Sequence, residues 1–364
     1  MIVKNEEELL DRCLSSIKEA VDEIIIVDTG STDNTWEIAL QYTDKVYNFE
    51  WVDDFSAARN FAYSKAEMDY QMWLDADDVF PKRQLKKLLQ LKSIITPEID
   101  IVTMKYLTHF DDQNNPVFTS TRERLTKREK GYKWIDPVHE CIPLIGNVFH
   151  SDIEIEHRKP KKDLCHSDRN LKIYEKYESD KKPFTPRQLY YYARELKDHS
   201  QWEKSASYFE KFLNTKQGWF EDNIAACFNL SICYNRMNEQ EKILPILFKS
   251  FMYDAPRAEI SSEIGYHYKR AKNFSNAFKW FKLAANLGNP ESIGFILPDY
   301  WGYIPNIECC VCLCELGDFV NASIYNERAA EYKNTEAIEI NRRYLAAKLY
   351  DYSTNAVNLT EAAF

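Results

Sequence analysis

Two hydrophobic rhythms divide this chain. Over roughly the first eighty residues, short apolar runs alternate with helical patterns. Met1 to Val3 reads as the tail of a strand whose beginning is absent. Leu9, Leu10, Cys13, Leu14 and Ile17 then follow the period of a helix that opens at Asn5-Glu6-Glu7-Glu8. Glu23 to Val27 is mostly apolar, as a strand covered on both faces requires. The polar run from Asp28 to Thr35 is a turn and helix cap, and Trp36 to Tyr42 predicts the helix. Lys45 to Phe49 predicts a third strand, Asp53 to Asn60 opens another helix, and Tyr70 to Leu74 is a further short strand. A helical run starts near Arg83, behind Pro81. This alternation predicts an α/β domain with a mostly parallel sheet and helices on both faces.

The pattern loosens beyond Leu91. Asp100 to Tyr106 predicts a strand, Asp111 to Pro116 a turn, and Arg122 to Leu125 alternates toward Gly131-Tyr132-Lys133-Trp134. Ile153 to Ile155 leads into Glu156-His157-Arg158. A connecting helix is expected over Asp163 to Asp180. From Pro183 onward no strand pattern persists and helix pairs recur. Trp202, Gln240 and Phe274 hold similar turn positions, 38 and 34 residues apart, and Phe319 follows 45 later. Small residues (Ala206, Ala277, Ala322) come soon after three of them. A period near 34 is that of tetratricopeptide repeats, whose stacked helix pairs build a curved surface. The expected division is 1–162 for the α/β domain, 163–182 for the connecting helix and 183–364 for an all-α repeat domain. Tyr190, Tyr191, Tyr192, Tyr208, Phe209, Tyr266, Phe278 and Trp280 are expected to pack between helices. Any of them on a concave face would be a peptide contact.

Composition narrows the function classes. The 364 residues, 45% apolar and 14% aromatic, suffice for two real cores. A net charge of −10 with no basic stripe argues against nucleic acid as the main partner. No stretch is long and apolar enough for a membrane span. The start, Met-Ile-Val-Lys-Asn-Glu-Glu, lacks the order of a signal peptide. Of nine cysteines, Cys309, Cys310, Cys312 and Cys314 crowd one helix, where they cannot all reach distant partners. The Cys309-x-x-Cys312 spacing lacks the second pair and the histidines of a zinc site, so these read as small buried side chains. A reduced, cytoplasmic protein is expected.

The densest candidate chemistry is Trp73-Leu74-Asp75-Ala76-Asp77-Asp78, where carboxylates crowd the end of a strand. Unpaired buried carboxylates are costly. On a divalent cation beside a phosphate they become useful, because Mg²⁺ and Mn²⁺ take hard oxygen ligands. An acidic turn capping the next helix would use the same residues. Position separates these readings. In parallel α/β sheets, ligands bind beyond the carboxyl ends of the strands. Asn5/Glu6, Asp28/Ser31/Asp33 and Asp75/Asp77/Asp78 all follow strands and so converge on one edge.

Val3 to Glu7, the strand ending Val-Asp-Thr-Gly-Ser-Thr-Asp-Asn-Thr, Phe-Ser-Ala-Ala-Arg-Asn and Leu-Asp-Ala-Asp-Asp stand in one order. That order resembles the family-two glycosyltransferases over about residues 1 to 160. The resemblance implies a GT-A fold and an inverting transferase using nucleotide-diphosphate sugars. With its helical tail the chain also looks similar to the bacterial peptide glycosyltransferases that modify bacteriocins, of the sublancin type. It implies Asp77 as a direct ligand of Mn²⁺ or Mg²⁺, with Asp75 on the ribose or bound through water. His157 becomes an additional ligand or a hydrogen-bonded histidine at a strand end. Asp28 would accept the uracil N–H, with Asn5, Glu6, Ser31 and Ala76 shaping the nucleotide pocket. Arg59 would stand near the diphosphate or pair with Asp53, Asp54 or Asp33. Residues preceding Val3 also line this pocket in relatives, so part of the site is expected to lie outside this numbering.

The catalytic base has three candidates, Asp136, His139 and Glu140, in Asp-Pro-Val-His-Glu. Glu140 is favoured, with His139 as its partner or a sugar contact. The Glu-Asp base dipeptide typical of the family is not evident here. A thiol acceptor would need less help than a hydroxyl, its ordinary pKa being near roughly 8.5. The expected function is transfer of a hexose or N-acetylhexosamine from a UDP-sugar to a peptide or protein. The repeats would bind the acceptor and offer a homodimer surface. A saccharide or lipid-linked acceptor, or a non-catalytic scaffold that senses nucleotide-sugar, are the alternatives.

Overall fold

The computed structural model describes residues 1–111, 114–159, 168–288 and 297–361. They fall into two compact units, one of Met1–Glu195 and one of Leu196–Ser292 with Leu297–Phe364. In the first, β1 (Ile2–Val3), β2 (Ile26–Asp28) and β3 (Val46–Asn48) form a parallel sheet in that order. Helix α1 (Leu10–Ile17) buries Leu10, Cys13, Leu14 and Ile17, the periodic positions of the sequence. Helices α2 (Thr35–Ala39) and α3 (Phe55–Ser64) follow. Asp54 fixes the start of α3, its side chain accepting the Ala57 N–H at 2.9 Å.

A second, mixed sheet is built from β4 (Tyr70–Met72), β5 (Asp78–Val79), β6 (Ile101–Phe110), β7 (Pro116–Lys127) and β8 (Val148–His157), in the order β4-β7-β6-β8-β5. Only β6 and β8 run parallel within it. Leu74, Phe80, Val102, Met104, Ile153 and Ile155 form its core, against Ile17 of α1 and Leu88 and Leu91 of α4 (Lys82–Ile94). The acidic run is therefore part turn and part strand. β5 is too short to be legible as a strand in the sequence.

This unit also holds α5 (Arg169–Ser179) and α6 (Pro186–Asp198) through Glu195. Part of the connecting helix expected from Asp163 lies outside the described residues. Tyr174 stacks on Tyr192, which stacks on Phe184, with ring centroids 5.2 and 5.5 Å apart. The Arg187 guanidinium donates to the His139 carbonyl at 3.0 Å, and the Gln188 amide to Asp136 Oδ1 at 2.9 Å. Loop 136–140 is thereby held by α6.

The second unit is helical: α7 (Trp202–Thr215), α8 (Phe220–Arg236), α9 (Gln240–Lys249), α10 (Ala258–Arg270), α11 (Phe274–Ala285), α12 (Tyr303–Glu315), α13 (Phe319–Ala330) and α14 (Glu336–Glu361). Neighbours in sequence pack against each other. Trp202, Gln240, Phe274 and Phe319, marked by spacing alone, each open a helix. Before them stand Ser200, Asn238, Lys272 and Gly317, left-handed at φ 59, 61, 56 and 80°. The residue after each returns its N–H to a carbonyl five back, at 2.8, 2.8, 2.9 and 2.9 Å, closing the same Schellman turn four times. Ala277 and Ala322 are fully buried, and Gly265 lets the Phe281 ring approach where a Cβ would sit 2.9 Å away. Cys309, Cys310 and Cys312 are fully buried in this core as free thiols, as the sequence leads one to expect. No helix among the described residues is long and apolar enough to cross a membrane.

The turns make a testable pair. Nothing lies within 4 Å of a Cβ at Gly317, so Gly317→Ala meets only the left-handed backbone cost. It should destabilise by roughly 1–2 kcal/mol, whereas Lys272→Gly should be neutral or stabilising. Urea unfolding of both variants measures the difference.

Candidate active site

β5 pairs antiparallel with β8, and the register sets Asp78 opposite His157. His157 Nδ1 lies 3.0 Å from Asp77 Oδ1, 3.2 Å from Asp78 Oδ1 and 2.7 Å from the Tyr106 hydroxyl oxygen. Asp77, Asp78 and His157 form the one three-residue group of potential metal ligands among the described residues. The two carboxylates are not equivalent. Asp78 is wholly buried: it accepts from Arg124 Nη1 at 3.0 Å, from Tyr106 at 2.8 Å and from the Asp75 N–H at 3.0 Å. Arg124, also wholly buried, stacks over the rings of Trp73 and Tyr106 at 3.6 and 4.3 Å. Asp78 is thus a structural anion. Asp77 and His157 remain to face a ligand.

Arg59 comes from the buried side of α3. Its Nη2 donates to Asp75 Oδ1 at 2.7 Å and its Nε to Glu140 Oε1 at 2.6 Å. The guanidinium lies over the Trp73 and Trp134 rings at 4.9 and 4.8 Å, and the two rings meet edge-on. Burial alone would lower its pKa, but Asp75 and Glu140 outweigh burial and raise it. Burial would likewise raise Asp75, yet Arg59 and Arg124 hold its carboxyl well below the usual range. An ion pair of Arg59 is present, with partners other than the Asp53, Asp54 or Asp33 suggested by proximity in sequence. Asp53 instead meets Lys176 at 2.6 Å, Asp54 caps α3, and Asp33 bonds Thr35.

These groups line a cavity of about 440 Å³. Glu6, Ala76, Asp77, Asp75, Arg59, His139, Glu140 and His157 all border it, and so do the cations Lys4, Arg122, Lys159 and Arg169. Asn5, Asp28, Ser31 and Asp136 are not among its lining residues. Asn5 Oδ1 accepts the Thr32 N–H at 2.8 Å while its own N–H donates to Ser31 Oγ at 2.9 Å, tying the two strand-end loops together. Asp28 Oδ1 accepts the Gly30 and Ser31 N–H groups at 2.7 Å each, and its buried Oδ2 has no partner. That oxygen is left able to accept one further N–H donor. Asp136 is turned away from the cavity toward Gln188 and Arg187, a position that speaks against its use as the base. His139 Nε2 lies 2.7 Å from Glu195, and its ring stacks on Tyr191 at 4.4 Å. A larger, more apolar cavity of about 540 Å³ lies beyond Arg59 and Trp73, lined by Met1, Ile25, Tyr63 and Leu91. It lacks the carboxylate cluster, so the chemistry belongs to the smaller one.

The donor set fits a divalent cation. A single imidazole proton would have to serve three oxygens at once. Burial raises the Glu6 carboxyl to about 7, helped by Asp77 and Asp75. Burial would lower His157, but hydrogen bonds and charges from Asp77 and Asp78 raise it to about 10. A cation on that nitrogen would displace the proton.

Arg124, Tyr106, Trp134 and Glu195 were not singled out as site residues from the sequence. Only Arg124 left a signal, a charge repeated on alternate positions of a strand at Arg122 and Arg124. The others reach the site through pairings distant in sequence.

A carboxylate run and a histidine at strand ends thus face a cation-lined cavity of the α/β domain. Residues 1–151 match the model of glycosyl transferase family 2, and this part of the chain is a domain of that family. A TPR repeat-containing protein of Synechococcus elongatus is 38% identical over 143 residues, 39% of this chain and 34% of its own length. The SPbeta prophage-derived glycosyltransferase SunS of Bacillus subtilis is 28% identical over 228 residues, 59% of this chain and 52% of its own. The chain thus spans about a third and about half of these two relatives. The crystal structure of MamA aligns at a TM-score of 0.37 and 15% identity, covering 45% of this chain and 86% of that one.

Two outcomes test this geometry. Arg124→Met leaves Asp78 buried without its partner and should cost roughly 3–5 kcal/mol in urea unfolding. In metal-free buffer, His157 with its raised pKa stabilises the fold fully below the ordinary imidazole value of roughly 6.5. That contribution is lost as pH rises through about 10. The melting temperature of the wild type should therefore fall more steeply from neutral to alkaline pH than that of His157→Asn, and parallel profiles would contradict it.

Proposed function

We propose that this chain is a metal-dependent, inverting glycosyltransferase that moves a hexose or N-acetylhexosamine from a UDP-sugar to a peptide or protein acceptor. The observation that carries the reading is one cavity bordered by Asp77 and His157, by the Arg59-bridged pair Asp75 and Glu140, and by Lys4, Lys159 and Arg169. The acceptor group is a Cys thiol or a Ser/Thr hydroxyl, and the helical repeats bind the acceptor, since such surfaces suit extended chains.

Lys4, Lys159 and Arg169 give the diphosphate its counter-charge. Mn²⁺ or Mg²⁺, held by Asp77 and His157, would supply Lewis-acid stabilisation of the departing diphosphate. Asp28 takes the uracil N–H, and Asp75, fixed by Arg59, is set for the ribose. Glu140 uses Oε1 for Arg59 and keeps Oε2 for the acceptor proton. The acceptor oxygen or sulfur bonds to the anomeric carbon as the bond to phosphate breaks. The electron pair leaves with UDP, and the configuration inverts. His139 acts as a positioning residue: at φ 54°, with its ring on Tyr191 and Nε2 on Glu195, it sets the direction of Glu140.

UDP release and thermal shift over a panel of UDP-sugars with Mn²⁺ test the reading. Wild type should release UDP slowly without acceptor, a chelator should abolish the release, and Asp77→Ala should lose both the release and the metal-dependent shift. Glu140→Gln should keep the donor shift and slow turnover by about 10²–10⁴-fold. Equal shifts in wild type and Asp77→Ala would remove Asp77 from the metal site. No response to any UDP-sugar would remove the reading.

A further inference from the structure

Helix α10 carries Glu259 and Glu263 one turn apart on a half-buried face of the second unit. Like charges at that spacing repel, and burial raises both carboxyls, Glu259 to about 6. Arg257 eases the first and Arg270 the second, but burial outweighs both. Arg257 is held by Asp254 at 2.6 Å and by Glu221 at 3.0 Å, and Lys269 is paired with Glu308. Arg270 is exposed at the end of the helix, and no ion pair among the described residues joins it to Glu263. Glu259 Oε2 is closed off from water and meets no hydrogen-bond donor. Glu263 receives only a long bond of 3.3 Å from the Tyr300 hydroxyl.

Aromatic rings flank the two carboxylates. Tyr300 meets Phe228 of α8 edge-on, with centroids 5.9 Å apart, and Tyr266 lies one turn beyond Glu263 on α10. Unpaired carboxylates beside aromatic faces are the surroundings a guanidinium or ammonium needs: ion pairing from one, ring quadrupole from the other. The cavity of the glycosyl transferase domain uses none of these residues.

We propose that the half-buried face carrying Glu259, Glu263, Tyr266 and Tyr300 binds an Arg or Lys side chain of a peptide, so that the repeats recognise a basic segment of the acceptor. This rests on the reading of the repeats as the acceptor-binding part. The carboxylates accept from the cationic head while the rings cover its stem. A bound cation also neutralises charge that the fold otherwise holds at a loss.

The test is fluorescence anisotropy of the full chain with a fluorescein-labelled octapeptide of alternating Gly and Arg. Controls carry citrulline or Glu in place of Arg. The Arg peptide should bind at least about tenfold tighter than either control. Glu259→Gln with Glu263→Gln should weaken it by about tenfold or more without lowering the melting temperature, because the substitutions remove buried charge. Should the double variant not fold, Glu263→Gln alone is read in the same way. Equal binding of the Arg and citrulline peptides, or undiminished binding by the folded variant, overturns the proposal. UDP release is measured in parallel. If release fails while the charge-dependent binding stands, the transferase reading falls and the peptide site remains. If the binding fails while release stands, only the peptide site falls.

Discussion

The buried contact between Arg124 and Asp78 is the constraint on which the α/β domain turns. Two full charges without solvent are tolerable only when each is bonded on several sides. Here Tyr106, the Asp75 backbone and the faces of Trp73 and Tyr106 complete the set. Asp78 is thereby fixed in a two-residue strand, and that strand fixes β8 beside it. Asp77, the preceding residue, is left facing the cavity with His157. One carboxylate holds the site so that its neighbour can serve it.

Trp73 extends the same logic outward. Its ring lies within 5.0 Å of the Arg59, Arg122 and Arg124 guanidinium carbons. Cations that would repel one another share one indole ring, and each keeps a carboxylate partner: Asp75 and Glu140 for Arg59, Glu123 for Arg122, Asp78 for Arg124. The electrostatics of the cavity are therefore built from the second sheet as well as from the strand ends of the first.

Much of this was legible in the sequence because it depends on local rules. The period of α1, the helix opening near Asp53 and the carboxylates after β4 are written in consecutive residues. The repeat positions Trp202, Gln240, Phe274 and Phe319 were visible through spacing, although only one of their four turns uses the expected glycine. Contacts between residues far apart in the chain were not visible. Arg59 sits close in sequence to Asp53 and Asp54, yet it bonds Glu140 from 81 positions away. Asp136 lies four positions before Glu140, yet its side chain bonds Gln188 of α6 instead of facing the cavity. No periodicity records such choices, because tertiary packing makes them.

The grip of α6 on loop 136–140 bears on how such proteins can be recombined. Arg187, Gln188, Tyr191 and Glu195 together hold the backbone or side chains of Asp136 and His139. A chimaera that joined this domain to a foreign repeat array at the end of β8 would sever that grip. Its junction belongs beyond Glu195, so the natural module boundary for grafting lies inside what the chain's composition marks as the repeat region.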